Sequence, residues 1–356
     1  MSQFGSARAA IFRGTERAFD IVEQPVHDPA PERLLLRTEL TGICGTDVHL
    51  YETGQPEPMA LGHEIAGTIV AIGDGLATDF TGRPIVIGDL IVPHPGTPNG
   101  AYGFRTNPAQ GPPFLTGGFG QYLSLAHGGT SFFKVEAPPG VAVLLEPLSI
   151  GVHAVERSRI ELGDTVVVQG TGAIGLLTIY VAKQAGAGTV IAVGGPKGRL
   201  AAATALGADT AIDIAEIPDA AARVDRVRSL TPNGMGADIV YECAGVKSAI
   251  VEGIEYLRIS GTFCEAGHFI DTGDIVLNPN RHLVLKDITL VAPYGSKTGH
   301  FVKARALLER DAGKLDQIVS HRLPLDRLGE GFDALLGRYH LDGRDAVKIA
   351  IDPWQS

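Results

Sequence analysis

The chain has 356 residues, a length that corresponds to two domains, or one large one, at roughly 150 residues per domain. Hydrophobic residues make up 44% and charged residues 20%, which excludes a disordered chain, because such chains lack the apolar surface that offsets the entropy of ordering. Lys and Arg number 30 and Asp and Glu 40, so the net charge is −10 at pH 7. This acidity, without a basic tract, argues against nucleic acid or an anionic membrane as the main partner.

The cysteines and the hydropathy pattern indicate the compartment. Cys44, Cys243 and Cys264 lie far apart in the sequence and are odd in number. No disulfide framework can be read from them, so we predict a protein of the reducing cytoplasm. Residues 1–13 lack the apolar core of a signal peptide, and no run approaches the roughly 18 uninterrupted apolar residues of a membrane-spanning helix. We therefore expect neither a signal peptide nor a membrane span.

The first part of the sequence reads as short strands separated by Gly and Pro, for example at residues 33–40, 64–72 and 84–89. Alternating or wholly apolar runs between turn signals predict an irregular, mostly antiparallel β domain, which we place at residues 1–155. Residues 93–120 contain 6 Pro and 7 Gly but no Cys. Such a composition resists both helix and central strand, so it predicts a long surface lobe.

Beyond this domain, buried-strand patterns alternate with helical ones. Helical patterns cover residues 176–185 and 199–206. The apolar strand patterns lie at residues 165–169, 189–193, 237–242, 261–266 and 288–292. This alternation predicts a doubly wound parallel sheet of the α/β class, which we place at residues 156–294. The tail, residues 295–356, contains a helix and a terminal strand, and we expect it to complete the first domain.

A glycine-rich turn follows the first strand of the predicted parallel sheet. Gly170, Gly172 and Gly175 match the pattern G-x-G-x-x-G, with Ala173 and Ile174 between them. The pattern alone is weak, and an ordinary glycine-rich turn is the alternative. Here it follows a strand and opens a helix, so the first glycine allows a tight turn, the second a close approach of a pyrophosphate, and the third close packing. We predict a dinucleotide site at the helix N-terminus.

The second strand of this sheet ends without the acid that binds the ribose hydroxyls in such sites. Gly194 stands at that position, and Lys197 and Arg199 follow. Because a missing carboxylate removes repulsion and a cation pairs with phosphate, we expect NADP rather than NAD. The alternative is that both cations are solvated at the start of a helix.

Three residues of different types suggest a metal site. Cys44 and His63 lie in the β-rich part, and Glu146 lies just before the nucleotide-binding part. One thiolate, one imidazole and one carboxylate neutralise Zn²⁺ and leave the fourth position open, as in catalytic rather than structural zinc sites. The alternatives are a buried Cys and a core His. The sequence separations alone do not identify a zinc site.

These motifs together resemble the zinc-containing medium-chain alcohol dehydrogenases, especially the sorbitol (polyol) and threonine dehydrogenase branch. The similarity covers nearly the whole chain. It is carried by Gly42 to His49, Gly62-His63-Glu64 with Gly67, Gly118 to Tyr122, Glu146-Pro147-Leu148, Gly170 to Gly175, and Glu242 to Gly245. The resemblance implies a GroES-like β-rich catalytic domain, a Rossmann nucleotide-binding domain, and hydride transfer between an alcohol or polyol and a nicotinamide cofactor.

The resemblance also implies roles for individual residues. It implies that the zinc ligands are Cys44, His63 and Glu146. It implies that Glu64 can enter the zinc coordination sphere, that Asp47 orients the His63 ring, that Thr46 hydrogen-bonds the substrate oxygen, and that His49 passes the proton to solvent.

The same resemblance limits the metal content and suggests an assembly. Many family members hold a second, structural zinc with four closely spaced cysteines in the lobe, and residues 93–120 contain none. We therefore expect one catalytic zinc and no structural one. The family is usually dimeric or tetrameric, so we expect a homodimer or homotetramer, with residues 283–291 as an apolar sheet edge or an ordinary buried strand.

Two other functions are compatible with parts of this pattern. One is a zinc-free quinone or enoyl reductase of the same architecture, but such relatives generally lack the Cys and His motifs found here. The other is a non-catalytic NAD(P)-binding protein. Binding alone would not need Thr46 and His49, which argues against it.

Overall fold

The computed structural model divides the chain into two compact units. The first comprises Met1–Glu146 and Phe301–Ser356, and the second Pro147–His300. The residues that the structure describes are 3–54, 58–97, 100–103, 115–125, 130–338 and 340–356. Residues 104–114, in the middle of the predicted lobe, therefore lie outside the described residues.

The elements follow one another as short strands, then alternating strands and helices, then a mixed tail. The strands are β1 (Ser6–Arg13), β2 (Ala18–Pro25), β3 (Leu34–Gly42), β4 (Glu64–Ile72), β5 (Leu90–Pro93), β6 (Gly96–Thr97), β7 (Gly100–Ala101), β8 (Tyr122–Leu125), β9 (Phe132–Lys134), β10 (Thr165–Gln169), β11 (Thr189–Gly194), β12 (Thr210–Asp213), β13 (Ala237–Glu242), β14 (Leu257–Glu265), β15 (Thr289–Val291), β16 (Val319–Pro324) and β17 (Lys348–Asp352). The helices are α1 (Gly45–Thr53), α2 (Pro139–Ala142), α3 (Leu145–Ser158), α4 (Ala173–Gln184), α5 (Lys197–Leu206), α6 (Ala220–Ser229), α7 (Lys247–Tyr256), α8 (Thr298–Arg310), α9 (Ala312–Leu315) and α10 (Leu328–Leu335).

The first unit is built on a mostly antiparallel sheet. In its described part the strand order is β16-β17-β3-β4-β5-β9, with β8 also paired to β3. The central strand β3 pairs along its length with β4, and all its residues are buried except Arg37 and Glu39, which are partly buried. Four aromatic rings, those of Phe12, Tyr51, Phe119 and Phe332, form part of the core beside this sheet. The β-rich fold predicted for this part is confirmed.

The tail belongs to this same sheet. The last strand, β17, pairs with β3 through Ala350 and Gly42. The strand β3 also pairs with β4 so that Gly42 lies opposite Glu64. Consequently the end of β3, the start of β4 and the start of β17 lie side by side, although they are far apart in the sequence.

The second unit, every residue of which is described, is a doubly wound α/β structure. Its sheet is parallel throughout, with the order β12-β11-β10-β13-β14-β15. Strand β10 is buried at all five residues, as a strand covered by helices on both faces requires. The strand order reverses between β10 and β13, and ligands of such sheets bind in the crevice outside the carboxyl ends at this point. The predicted parallel sheet is confirmed.

Two further features concern membrane-spanning helices and the edge of the parallel sheet. Among the described residues, no helix is long and apolar enough to cross a membrane. Strand β15 forms one edge of the parallel sheet, and its Leu290 side chain is 60% exposed.

Candidate functional site

The glycine-rich turn between β10 and α4 has the geometry of a pyrophosphate cradle. Gly170 has a positive φ of 89°, and a Cβ there would lie 2.7 Å from the Ala244 backbone nitrogen. A Cβ at Gly175 would overlap the Gly170 carbonyl oxygen. Any side chain is thus excluded at both positions by the backbone itself.

The middle glycine has a different environment. A Cβ at Gly172 would meet nothing within 4 Å, so the surface there is open to a ligand. Helix α4 begins at Ala173, followed by Ile174, and the first-turn N–H groups of any helix lack carbonyl acceptors within it. An open backbone beside a helix N-terminus suits an anionic pyrophosphate.

The end of β11 has no room for the usual acidic side chain. A Cβ at Gly194 would lie 2.8 Å from the Thr171 hydroxyl, which donates to the Gly195 carbonyl oxygen at 3.0 Å. Lys197 and Arg199 lie in the first turn of α5. The Lys197 ammonium group lies 2.9 Å from the Glu216 carboxylate, and the two side chains are 80% and 65% exposed.

In the first unit, the start of α1 places one predicted metal ligand and its neighbours. Cys44 caps α1, and its backbone N–H donates to the Asp47 carboxylate at 2.9 Å. The Thr46 hydroxyl lies 3.8 Å from Cys44 Sγ. His49 follows one turn later and is half-buried, with its carbonyl oxygen bonded by the Thr53 hydroxyl. The capping geometry explains why Cys44, Thr46 and Asp47 occur close together in the sequence.

The imidazole of His63 lies against this helix terminus. Its Nδ1 is 3.4 Å from Asp47 Oδ1, and Asp47 is fully buried. Burial by itself lowers the pKa of His63, but the Asp47 carboxylate and the Cys44 thiol outweigh burial and hold the pKa well above its ordinary value. The structure thus brings Cys44, Asp47 and His63 together.

Glu64 has a partner that the sequence analysis missed. Both carboxylate oxygens lie 2.6 Å from Lys348 Nζ, and the two side chains are 1% and 3% exposed. Lys348 also donates to the Ile43 carbonyl oxygen at 3.0 Å. A Cβ at Gly42 would overlap the Glu64 carboxylate, so glycine is required opposite it. The available signal was a lysine within the otherwise apolar terminal strand.

Glu146 is a third buried acid in this unit. Its pKa rises to about 7, chiefly because burial disfavours the carboxylate, while the charges of His63 and Lys348 lower it and that of Glu64 raises it. Glu146 therefore lies within electrostatic reach of His63 and Glu64. A buried acid with a raised pKa gains most from a nearby cation.

The distances between possible metal-ligand atoms also bear on where an ion can bind. Among the described residues, the group of three donors whose ligand atoms all lie within 4.8 Å of one another is Glu242, Glu265 and His268. In the first unit, Cys44 and Glu146 each interact electrostatically with His63. By type, the partly buried Cys44 thiol, the buried His63 imidazole and the buried Glu146 carboxylate fit Zn²⁺.

The comparisons with known proteins agree with this architecture. Residues 30–137 match the family model described as "Alcohol dehydrogenase GroES-like domain", and residues 173–310 the one described as "Zinc-binding dehydrogenase". A sorbitol dehydrogenase of Gallus gallus is 30% identical over 331 residues, covering 87% of this chain and 88% of that protein.

Two solved structures extend the comparison. The crystal structure of an alcohol dehydrogenase from Thermotoga maritima has a TM-score of 0.88 and 27% identity, covering 98% of this chain and 99% of that one. A zinc-binding dehydrogenase from Sinorhizobium meliloti 1021, bound to NADP, has a TM-score of 0.80 and 25% identity, covering 98% and 100%.

Fold and relatives together define an oxidoreductase that transfers hydride between an alcohol or polyol and NAD(P). More narrowly, the chain belongs to the zinc-containing medium-chain alcohol dehydrogenase family and is similar to its sorbitol dehydrogenases. The expected family, fold class and enzyme type are confirmed.

Proposed function

We propose that the chain oxidises a polyol or related secondary alcohol at a single zinc held by Cys44, His63 and Glu146. The observation that carries this proposal is the set of a partly buried thiol with a buried imidazole and a buried carboxylate, with Asp47 against the Nδ1 nitrogen of His63. An orienting carboxylate behind a ligating imidazole fixes the tautomer and raises ligand basicity. Bound zinc supplies the polarisation that lowers the pKa of an alcohol toward neutrality.

The remaining polar residues handle the substrate and its proton. The Thr46 hydroxyl, next to the Cys44 sulfur, accepts the substrate hydroxyl's proton and donates its own toward His49, which is half-buried and passes the charge to solvent. Glu64 is the residue assigned to enter the coordination sphere. Because Lys348 holds both of its oxygens, this entry requires the Glu64–Lys348 pair to open.

The cofactor lies against the glycine-rich turn, with its pyrophosphate at Gly172, Ala173 and Ile174. We assign NADP as the preferred form, with Lys197 and Arg199 facing the 2′-phosphate. Supporting this, Gly194 carries no carboxylate, and the Lys197–Glu216 pair is exposed, so a phosphate can replace Glu216.

The metal content and setting follow from the same family assignment. Three cysteines, two of them in the second unit, cannot form the four-cysteine structural zinc site of other members. We assign a homodimer or homotetramer, supported by the exposed Leu290 on the edge strand β15. Three free thiols support a cytoplasmic setting.

An oxidation screen tests the proposal directly. Polyols, amino alcohols and simple alcohols are offered with NAD and NADP in parallel, and turnover is followed by absorbance of the reduced cofactor. The expected result is turnover of a vicinal diol or polyol, faster with NADP. Tight binding of NADPH without turnover of any alcohol or ketone would overturn the proposal in favour of a non-catalytic binding protein.

A further inference from the structure

Polar residues form a row across the carboxyl edge of the parallel sheet. Gln169, Glu242 and Glu265 are the last residues of β10, β13 and β14, and they pair in register across the three strands. The two or three residues that precede them in each strand are buried and mostly apolar: residues 166–168, 239–241 and 263–264. The row begins at the point where the strand order reverses, which is the cofactor crevice of such sheets.

Glu242 fixes the turn that follows its own strand. Its side chain is completely buried. Its Oε1 accepts hydrogen bonds from the backbone N–H groups of Ala244 at 2.7 Å and Gly245 at 3.0 Å. A buried carboxyl that bonds two consecutive N–H groups holds a turn in one conformation.

Glu265 fixes the neighbouring turn in the same way. Its Oε1 accepts from the backbone N–H groups of Gly267 and His268, each at 3.0 Å. The His268 ring then joins the two acids, because its Nδ1 lies 3.0 Å from Glu265 and 3.4 Å from Glu242 Oε2. Burial and the neighbouring Glu265 raise the pKa of Glu242 to about 8, so the cluster holds a proton at neutral pH.

The two turns touch each other and the cradle through backbone atoms. A Cβ at Gly245 would lie 2.9 Å from the Gly267 carbonyl oxygen, and one at Gly267 would overlap the Glu242 carboxylate. On the other side, Gly170 of the cradle packs on Ala244. A shift of either turn is therefore transmitted to the wall of the cofactor crevice.

We propose that Glu242, Glu265 and His268 form a brace that positions the turns at residues 243–245 and 266–268 for the nicotinamide end of the cofactor. The brace acts through the backbone, so these are positioning residues and not catalytic ones. The inference rests on the proposed function only in that this crevice binds NAD(P).

The test measures cofactor affinity of the whole enzyme by isothermal titration calorimetry with NADPH and NADH. Glu242→Leu removes both N–H acceptors, and Glu242→Gln keeps an acceptor oxygen at the same place. His268→Ala breaks the link between the acids at a less buried site. Glu252→Gln is the matched control, because it breaks a partly buried pair, with Arg223 at 2.6 Å, between α6 and α7.

The expected result is a dissociation constant raised about tenfold by Glu242→Leu and about fivefold by His268→Ala. Glu242→Gln restores affinity to within about threefold of the wild type, a rescue that a mere packing role does not explain. Glu252→Gln lowers the melting temperature without changing affinity. In steady state, the KM for cofactor rises and kcat changes little.

Two results overturn the inference, and they are distinguishable. If His268→Ala and Glu242→Leu bind both cofactors as the wild type does, the brace has no role in cofactor binding, and the proposed function is untouched. If the wild type binds neither NADPH nor NADH, the crevice is not a cofactor site, and the proposed function fails with it.

Discussion

Two buried carboxylates, one in each unit, avoid an isolated charge in different ways. Glu64 in the first unit faces Lys348, whose ammonium group lies 2.6 Å from both carboxylate oxygens. Glu242 in the second unit faces another acid, Glu265, and is compensated by backbone N–H groups, by His268 and by a retained proton. The first arrangement is an ion pair, and the second is a proton-sharing cluster.

The difference concerns the charge that each region carries near neutral pH. Burial lowers the pKa of Lys348, but the Glu64 carboxylate outweighs burial and raises it, so the ammonium group stays charged beside the proposed metal site. A cluster in which Glu242 holds a proton near neutrality carries less negative charge beside a cofactor that brings its own. The four predictions that follow test this contrast, beginning with the metal region.

The largest effect is expected at Cys44. Cys44→Ser replaces the thiolate with a poor zinc ligand, so turnover falls by about a thousandfold or more and zinc is lost. Cys264→Ser is the matched control, since Cys264 is a buried thiol beside the Ala154 carbonyl oxygen in the second unit. The turnover rate and the zinc content of both variants are measured. Equal activity of the two would contradict the role of Cys44 as a zinc ligand.

The next effect concerns the buried ion pair. Lys348→Met leaves Glu64 charged and without its partner, so the free energy of unfolding falls by about 4 kcal/mol. Adding Glu64→Gln removes the charge and restores most of that loss. Urea denaturation of the two variants and the wild type measures both quantities. A loss below about 1 kcal/mol for Lys348→Met would show that the pair is not isolated from water.

The proton-sharing cluster predicts that the stability of the folded chain depends on pH. The pKa of Glu242 is raised from 4.5 in the unfolded chain to about 8 in the folded one. Between these values the folded state binds a proton that the unfolded state releases. The contribution of Glu242 to stability is therefore fully present below about pH 4.5 and is lost as the pH rises to about 8.

Glu242→Gln isolates this contribution. The variant carries no titrating group at this position, so its stability relative to the wild type increases by about 4 kcal/mol between pH 5 and pH 9. Denaturation of both proteins at a series of pH values measures the difference. A stability difference that is the same at both pH values would show that the pKa of Glu242 is not raised in the folded state.

The smallest effect is expected at the exposed end of β11. Lys197→Ala removes a cation from the assigned 2′-phosphate site, so the KM for NADP rises about threefold while that for NAD stays constant. Glu216→Gln, which frees Lys197 from its pair, acts in the opposite direction. The ratio of kcat/KM for the two cofactors is the measurement. A ratio unchanged in both variants removes Lys197 from the site.

Local patterns predicted the fold class of both units correctly, but the strand predicted at residues 84–89 is wrong, because these residues form a turn before β5. The turn at Gly170, Gly172 and Gly175 could be recognised because its residues are contiguous and its strand and helix are strongly patterned. The predicted helix there begins at Ala173 rather than at residue 176, since the glycine-rich turn runs directly into it.

The two buried acid clusters were outside the reach of sequence patterns. Glu64 and Lys348 meet only because β3 pairs with both β4 and β17, a register that no local pattern encodes. Glu242 and Glu265 meet through the register of β13 and β14. In each case the charge identifies an unusual residue, and only the strand pairing identifies its partner.

The zinc content of active enzyme tests the central claim most directly. The protein is purified without added metal and shown to oxidise a polyol or other alcohol. Its zinc content is then measured by inductively coupled plasma mass spectrometry, with Cys44→Ser in parallel. The account predicts one zinc per chain in the wild type and essentially none in the variant. Active wild-type protein without zinc, or a variant that retains a full zinc complement, would contradict it.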